Sequence, residues 1–462
     1  MSATSWTKQT QPLWYGSAPM SWMLGAAGPA DMLVRGEGCW VVDRTGRRFL
    51  DGRAGVGNMA LGYSRPDIAE AMHRQALELP FVCTMRYERP APVIVDHADR
   101  LVSITPERLT RVRFSHTGSS AVESSLHMAR LYQRILGRPE RRTVIALDGS
   151  YHGSTLLTMA ACGQPMLHQL FGPMPDGFVH VPPPDRVACA ACAGDAAAPA
   201  ACFQPVADAV SAIGEDRVAA VIVEPLMGLR GIPLPEHYLR PMRELCTAHD
   251  ILFIFDEVFT GFGRTGPMFG WELTGVEPDI MCLSKGLTAG YAPLSAILTT
   301  DAVYEAFDLP GKPYFHHASS TDAHPVSCAA GLAVLDAFER EGILERGQRL
   351  GERLKARLVS KLDGCPVAGD VRGVGPFIFI DLLGPDGQTA PMETKRLVQH
   401  QAERRGVLID YTPDVVMLVP PLVMQDAEAD LLCDTVAEVL WELKEAEHDV
   451  AGLRPPSASG RR

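Results

Sequence analysis

"FIFDEVFTGFGRTG", residues 253–266, is the stretch on which the reading of this chain turns. An apolar run ends in two carboxylates, Asp256 and Glu257, and a glycine series of the form G-x-G-x-x-G follows at Gly261, Gly263 and Gly266. A dinucleotide fingerprint needs its first glycine at a strand end, its third at the opening of a helix, and an acid at the end of the next strand. None of the three conditions is met. Asp256 to Thr260 separate the run from Gly261, and "PMFGWELTG" after Gly266 carries Pro267, Gly270 and Gly275 where a helix would run. The next β-rich run leads to Lys285 rather than to an acid. The carboxylates are therefore the functional part, and the glycines are expected to form a mobile turn beside them.

Outward from this stretch, short β-rich runs alternate with longer helical patterns, which is the pattern of the α/β class. "RVRFS" (111–115), "RTVIALD" (142–148), "RVAAVIVEP" (217–225), "DILFIFDE" (250–257) and "DIMCLSKG" (279–286) have the length of parallel strands buried on both faces. Each ends in polar or glycine-rich residues. Ligands of open α/β sheets bind beyond the carboxyl ends of the strands. Those ends gather a candidate site from Thr117-Gly118-Ser119, Tyr151-His152-Gly153, Glu224, Asp256-Glu257 and Ser284-Lys285.

Bulk properties narrow what can bind there. The 462 residues suffice for two or three domains, or for one large α/β domain with a smaller companion. A hydrophobic content of 46% and a charged content of 21% fit a well-buried globular enzyme. A net charge of −12 without a compensating basic run argues against a nucleic-acid or membrane-surface partner and leaves a small molecule. "MSATSWTKQTQPLWYG" has no basic start followed by an apolar segment, and no apolar run approaches ~18 residues, so the expected location is the cytoplasm. The 11 cysteines stand mostly alone in apolar runs, as Cys282 and Cys328 do, and are expected as reduced thiols. Cys189 and Cys192 form a C-x-x-C in "VACAACAGDAAAPAAC", with Cys202 beyond. No second C-x-x-C or nearby His pair completes a zinc site. The segment reads as a surface insertion rich in Ala, Gly and Pro, and no metal is expected.

Phosphate chemistry is suggested earlier, at "FSHTGSSAVESSLHMARLYQRILG", where Thr117, Gly118, Ser119 and Ser120 end a strand and open a helix with apolar positions at Val122, Leu126, Ala129 and Leu136. Unpaired amides and the positive dipole end suit an anion there, although a Ser/Thr cap serves the helix in any case. Asp256 and Lys285 close successive strand patterns at the same sheet edge. An aldehyde cofactor with a pyridine ring and a phosphate needs this set: a lysine for the Schiff base, an acid on the ring nitrogen, and phosphate anchors.

At these residues the sequence resembles the class III, ω-amino-acid type of pyridoxal 5'-phosphate-dependent aminotransferase, of fold type I. The motifs are "FSHTGSSAVES", "YHG", "VIVEPLMG", "FIFDEVFTGFGRTG", "LSKGLTAGYAPLSA", "HHASSTDAHPVSCAAGLAVL" and "GVLIDYTPDVVMLVPPLV", between about Asp51 and Pro421. The resemblance implies that Lys285 forms the Schiff base and shuttles a proton, Asp256 keeps the ring nitrogen protonated, and Tyr151 stacks on the ring. Thr117, Gly118 and Ser119 would hold the phosphate, with His152, Glu224 and Val258 completing the cofactor site. A further phosphate contact is expected from the neighbouring subunit of a homodimer, at Ser320 or the adjacent Thr321.

The resemblance also implies a domain plan. A large cofactor domain with a mostly parallel sheet spans residues 66–313, and a smaller α+β domain combines residues 1–65 with 314–452. A disordered tail is expected at 453–462. Trp14, Gly57, Leu229, Arg230 and Asp410 are expected at the substrate. Many relatives carry an arginine at the place of Asp410, a Glu at Leu229 and a bulky aromatic at Gly57. These departures imply an acceptor that is bulky and neutral or cationic, such as an amino sugar or polyamine-like aldehyde, while Arg230 takes the carboxylate of the amino donor. A ping-pong transamination is expected; the same constellation would serve an epimerase, aminomutase or decarboxylase of this fold.

Overall fold

Seven strands form the main sheet of the computed structural model, which describes residues 14, 32–85, 89–184, 189, 192 and 201–446. They are β1 (Leu109–Ser115), β2 (Thr143–Leu147), β3 (Phe178–Val181), β4 (Val218–Val223), β5 (Leu252–Asp256), β6 (Ile280–Leu283) and β7 (Ser295–Thr300). Their order in space is β1-β7-β6-β5-β4-β2-β3. β7 runs antiparallel to both β6 and β1, and the other pairs are parallel. Every residue of β4, β5, β6 and β7 is buried, so central strands covered on both faces read as unbroken apolar runs. The five anticipated runs all lie in this sheet. β3 and β7 were not anticipated: β3 has four residues, and β7 buries the hydroxyls of Ser295, Thr299 and Thr300 among its apolar positions.

The remaining strands make smaller sheets. Leu33–Glu37, Trp40–Asp43 and Arg48–Asp51 form a meander whose last strand pairs in parallel with Val407–Leu408. Ala368–Val374, Phe377–Leu382, Val415–Leu418 and Asp410–Tyr411 form an antiparallel sheet. Leu50 shares one apolar core with Leu354, Ile380, Val398 and Val436, so early and late parts of the chain are packed together. Helix Pro325–Glu341 instead joins the core of the main sheet, with Val334 and Phe338 beside Ile68, Leu109 and Phe114. Among the described residues no helix is long and apolar enough to cross a membrane. The expected tail at 453–462 lies outside the described residues.

The glycine turn after Asp256 corrects the expectation of mobility. Thr260, Phe262, Arg264 and Thr265 are almost inaccessible. Phe262 meets Phe269 and Phe338 edge to face, and the Arg264 guanidinium donates to the Pro420 carbonyl at 2.7 Å. The turn is a buried strut between the main sheet and the C-terminal part of the chain.

Candidate active site

Asp256 ends β5 with its side chain 5% exposed. One carboxylate oxygen lies 2.9 Å from His152 Nδ1, and the other accepts the Val258 amide at 3.1 Å. His152 is itself buried, and its Nε2 has no partner. The imidazole thus fixes the orientation of the acid from one side. The acid keeps lone pairs for a second donor.

Lys285 comes one residue after β6, past Ser284, and opens a single 3-10 turn, with φ of +39°. A non-glycine residue in this region is strained, and such strain tends to persist where surrounding structure over-determines the backbone. Exclusion of water pulls the ammonium below the usual lysine range, while the carboxylates of Asp256 and Glu224 pull it back up. The residue is half-buried, and its amine sits 4.2 Å from the ring centre of Phe259.

The buried acids beside this pair are held by backbone amides. Glu224 accepts from the amides of Tyr151 at 3.1 Å and Gly228 at 2.9 Å, and burial pushes its carboxyl up to about 7. Glu257 accepts from the Thr260 hydroxyl and from the amides of Gly270 at 2.9 Å and Trp271 at 2.7 Å, and burial pushes it up to about 7 as well. The first holds the Tyr151 turn, and the second closes the strut.

A cradle lies at the N-terminus of helix Gly118–Ile135. Thr117 caps it by accepting the Ser120 amide at 3.1 Å, and the Ser120 hydroxyl accepts the Thr117 amide at 2.9 Å. Ser119 accepts the Ser154 amide at 3.0 Å, which ties this turn to the Tyr151-His152-Gly153 turn. A Cβ at Gly118 would stand 2.7 Å from Val258, and one at Gly153 would stand 2.6 Å from the Ser119 hydroxyl. The two glycines keep the turns in contact, leaving the helix amides open to an anion. An amine, an oriented buried acid and an anion cradle around one sheet edge fit a cofactor that joins a carbonyl, a basic ring and a phosphate.

Other expected residues fall elsewhere. Ser320 and Thr321 are exposed, on a loop anchored by buried Asp322 to Ser115 at 3.3 Å and Arg113 at 3.2 Å. Trp14 is 86% exposed. Arg230 pairs with Asp414 through its Nε at 3.3 Å. Gly57 leaves less room than expected: its φ is +80°, and a Cβ there would meet the Phe259 ring at 2.4 Å. The aromatic absent at position 57 is thus supplied by Phe259, whose ring also faces Gly228 and the Lys285 amine. Phe259 was missed although it lies in the decisive stretch, since an aromatic in a turn reads equally well as packing.

Leu229 and Asp410 belong to segments that meet. The Thr412 hydroxyl donates to the Leu229 carbonyl at 2.7 Å, and Leu229 follows Gly228, which abuts Phe259. Asp410 is half-buried, and its side chain accepts the Tyr411 amide at 2.9 Å. Burial pushes its carboxyl up; the Arg53 cation opposes this and Asp51 reinforces it.

Residues 27–440 match the family model described as aminotransferase class-III. The chain belongs to the class III aminotransferases. This class III aminotransferase is 33% identical to a probable aminotransferase of Mycobacterium tuberculosis, over 90% of this chain and 91% of that protein. It is 36% identical to the adenosylmethionine-8-amino-7-oxononanoate aminotransferase of Geobacter sulfurreducens, over 87% of this chain and 90% of the relative. Its fold matches the omega transaminase of Pseudomonas jessenii in complex with PMP, with a TM-score of 0.87 and 28% identity, covering 95% of this chain and 97% of that one. The enzyme is accordingly a fold type I transaminase that works with pyridoxal 5'-phosphate, exchanging an amino group between an amino donor and a carbonyl acceptor.

Proposed function

We propose that this transaminase acts on a carbonyl acceptor that is neutral or cationic at its far end, of the amino-sugar or polyamine-aldehyde kind, and that Asp410 receives that end. The observation that carries the reading is a half-buried carboxylate without an ion-pair partner among the described residues. It stands on a segment bonded to Leu229, next to Gly228 and the Phe259 ring. A desolvated anion gains most from an incoming ammonium and repels a second carboxylate.

Within this reading, bound pyridoxal phosphate supplies the carbonyl for amine exchange and a ring that accepts electrons. Lys285 Nζ holds the cofactor and then moves the substrate proton; its lowered proton affinity leaves more of it as the neutral nucleophile. Asp256, oriented by His152, holds the proton on the ring nitrogen. Tyr151 covers the ring, with Glu224 and Val258 beside it. Thr117, Gly118 and Ser119 bind the phosphate, together with Ser320 or Thr321 of the partner subunit in a homodimer. The buried cysteines, Cys282 and Cys328 among them, are reduced thiols, which supports a cytoplasmic enzyme.

A panel of aldehydes and keto acids assayed on wild type and Asp410→Arg tests the specificity. Wild type is expected to favour acceptors without a distal carboxylate, and Asp410→Arg to shift kcat/KM toward ω-keto acids by roughly tenfold or more. As pH falls through the raised pKa of Asp410, KM for a cationic acceptor rises and KM for a neutral one does not. A wild type that prefers short ω-keto acids, with that preference unchanged by Asp410→Arg, would remove Asp410 from the substrate site.

A further inference from the structure

Three cysteines of the insertion that precedes helix Gln204–Ile213 come together with a histidine from another element. The sulfurs of Cys189, Cys192 and Cys202 lie within 4.8 Å of one another. Cys192 and Cys202 place theirs 3.4 Å apart, and His237 Nε2 is 3.3 Å from the Cys192 sulfur. A disulfide would need about 2.05 Å between sulfurs, and all three residues are free thiols. A tetrahedron with zinc–sulfur bonds of ~2.3 Å and a zinc–nitrogen bond of ~2.0 Å has sulfur–sulfur edges of about 3.8 Å and sulfur–nitrogen edges of about 3.5 Å. The two observed edges are close to these. His237 lies 35 residues after Cys202, in the first turn of helix Glu236–Ala248, and meets the cysteine set at Cys192, where it offers a fourth donor.

The surroundings are those of a closed site. Cys189 is 4% and Cys202 9% exposed, and both sit in an apolar core with Val181, Val206 and Tyr238. Tyr238 is fully buried, its hydroxyl has no hydrogen-bond partner, and it lies within the electrostatic reach of Cys192 and Cys202. A buried phenol donor left without an acceptor is costly, and metal-bound thiolates are acceptors of the kind it lacks. The chain also has reason to need a staple here. About twenty residues separate β3 from helix Gln204–Ile213, longer than connections without their own core usually are, and Ala, Gly and Pro supply little to bury.

We propose that Cys189, Cys192, Cys202 and His237 bind one zinc ion in a structural site that pins this insertion to helix Glu236–Ala248. Four protein ligands leave no open position for substrate, so the ion has no part in amino transfer. On binding, three thiols release their protons to solvent as three zinc–sulfur bonds form, and His237 gives the Nε2 lone pair of its neutral ring. Three thiolates and one divalent cation leave a net charge of −1 on the site.

Metal analysis of the holoenzyme, purified without chelators or immobilised metal, is the test. One zinc per chain is expected, released by a mercurial and captured by a coloured chelator. Cobalt(II) replacing it should give thiolate-to-metal absorption in the near ultraviolet and the visible bands of a tetrahedral ion. His237→Ala and Cys192→Ser should each weaken zinc binding by roughly tenfold or more, with the cofactor absorption of the enzyme retained. Should Cys192→Ser fail to fold, the cobalt spectrum of wild type against His237→Ala still decides. Wild type that carries no zinc, takes up no cobalt and has all three cysteines alkylated as free thiols would overturn the proposal. A Cys192–Cys202 disulfide found by peptide mapping would do the same. Neither result bears on the transamination site.

Discussion

Lys285 is subject to opposing demands that its surroundings resolve. Burial disfavours its charge, Asp256 and Glu224 favour it, and the Phe259 ring offers the ammonium a cation–π contact. Lys285→Ala is expected to lower kcat by several orders of magnitude, because nucleophile and proton carrier are lost together. Borohydride reduction should then no longer attach the cofactor to the chain, although the phosphate cradle still binds it. A variant that keeps a tenth of wild-type kcat would assign the chemistry to another lysine, which peptide mapping would name. Asp256 and Lys285 were legible in the sequence because each follows an unbroken apolar run, and the end of a buried strand is a fixed place. The placement of Phe259 beside the Lys285 amine and of His237 beside Cys192 was not legible. Their contacts depend on how a turn folds back and on where a distant helix begins, and neither leaves a spacing to count.

The turns at the strand ends are the elements that turn residues into a site. Five of the seven main strands are visible as apolar runs, whereas the strut after Asp256 looks like a flexible glycine loop until its burial is seen. Glu257 stabilises that strut with three donors while remaining in a dry environment. Its carboxyl is raised from 4.5 to about 7 in the folded chain, so between these values the native state holds a proton that the unfolded state has released. Stability from this group is full below about 4.5 and declines as pH rises through about 7. Glu224 acts in the same direction. Denaturant midpoints of the holoenzyme should therefore fall with rising pH over this interval, and Glu257→Gln should flatten the slope to the part due to Glu224. A variant with the full wild-type slope would mean that Glu257 is ionised throughout.

At the scale of the whole molecule, the proposed homodimer has a second copy of the chain complete the cofactor site. Ser320 and Thr321 are exposed on a loop anchored at Asp322, and Leu77 (75%), Leu170 (67%), Phe171 (58%) and Tyr314 (65%) are large apolar side chains left open. Exposed residues of this kind are what a permanent dimer interface covers. Lys285→Ala mixed with a Ser320→Ala/Thr321→Ala double variant should recover about a quarter of wild-type activity after subunit exchange, since half of the dimers then hold one intact site. An active monomer by light scattering would exclude a shared site.

The parallel pairing of Leu50 with Val407 governs how the chain can emerge from a ribosome. The strand Arg48–Asp51 is made early, yet its partner strand follows more than 350 residues later. At ~5–20 residues per second, that interval lasts roughly 20–70 s. Over that time the main sheet can close around its own local pairings, while the meander before it carries an open edge. Open edges are what neighbouring nascent chains add to. Synthesis speed and the spacing of ribosomes on the message thus become determinants of yield for this enzyme, and a strand made late seals the edge of a sheet made early.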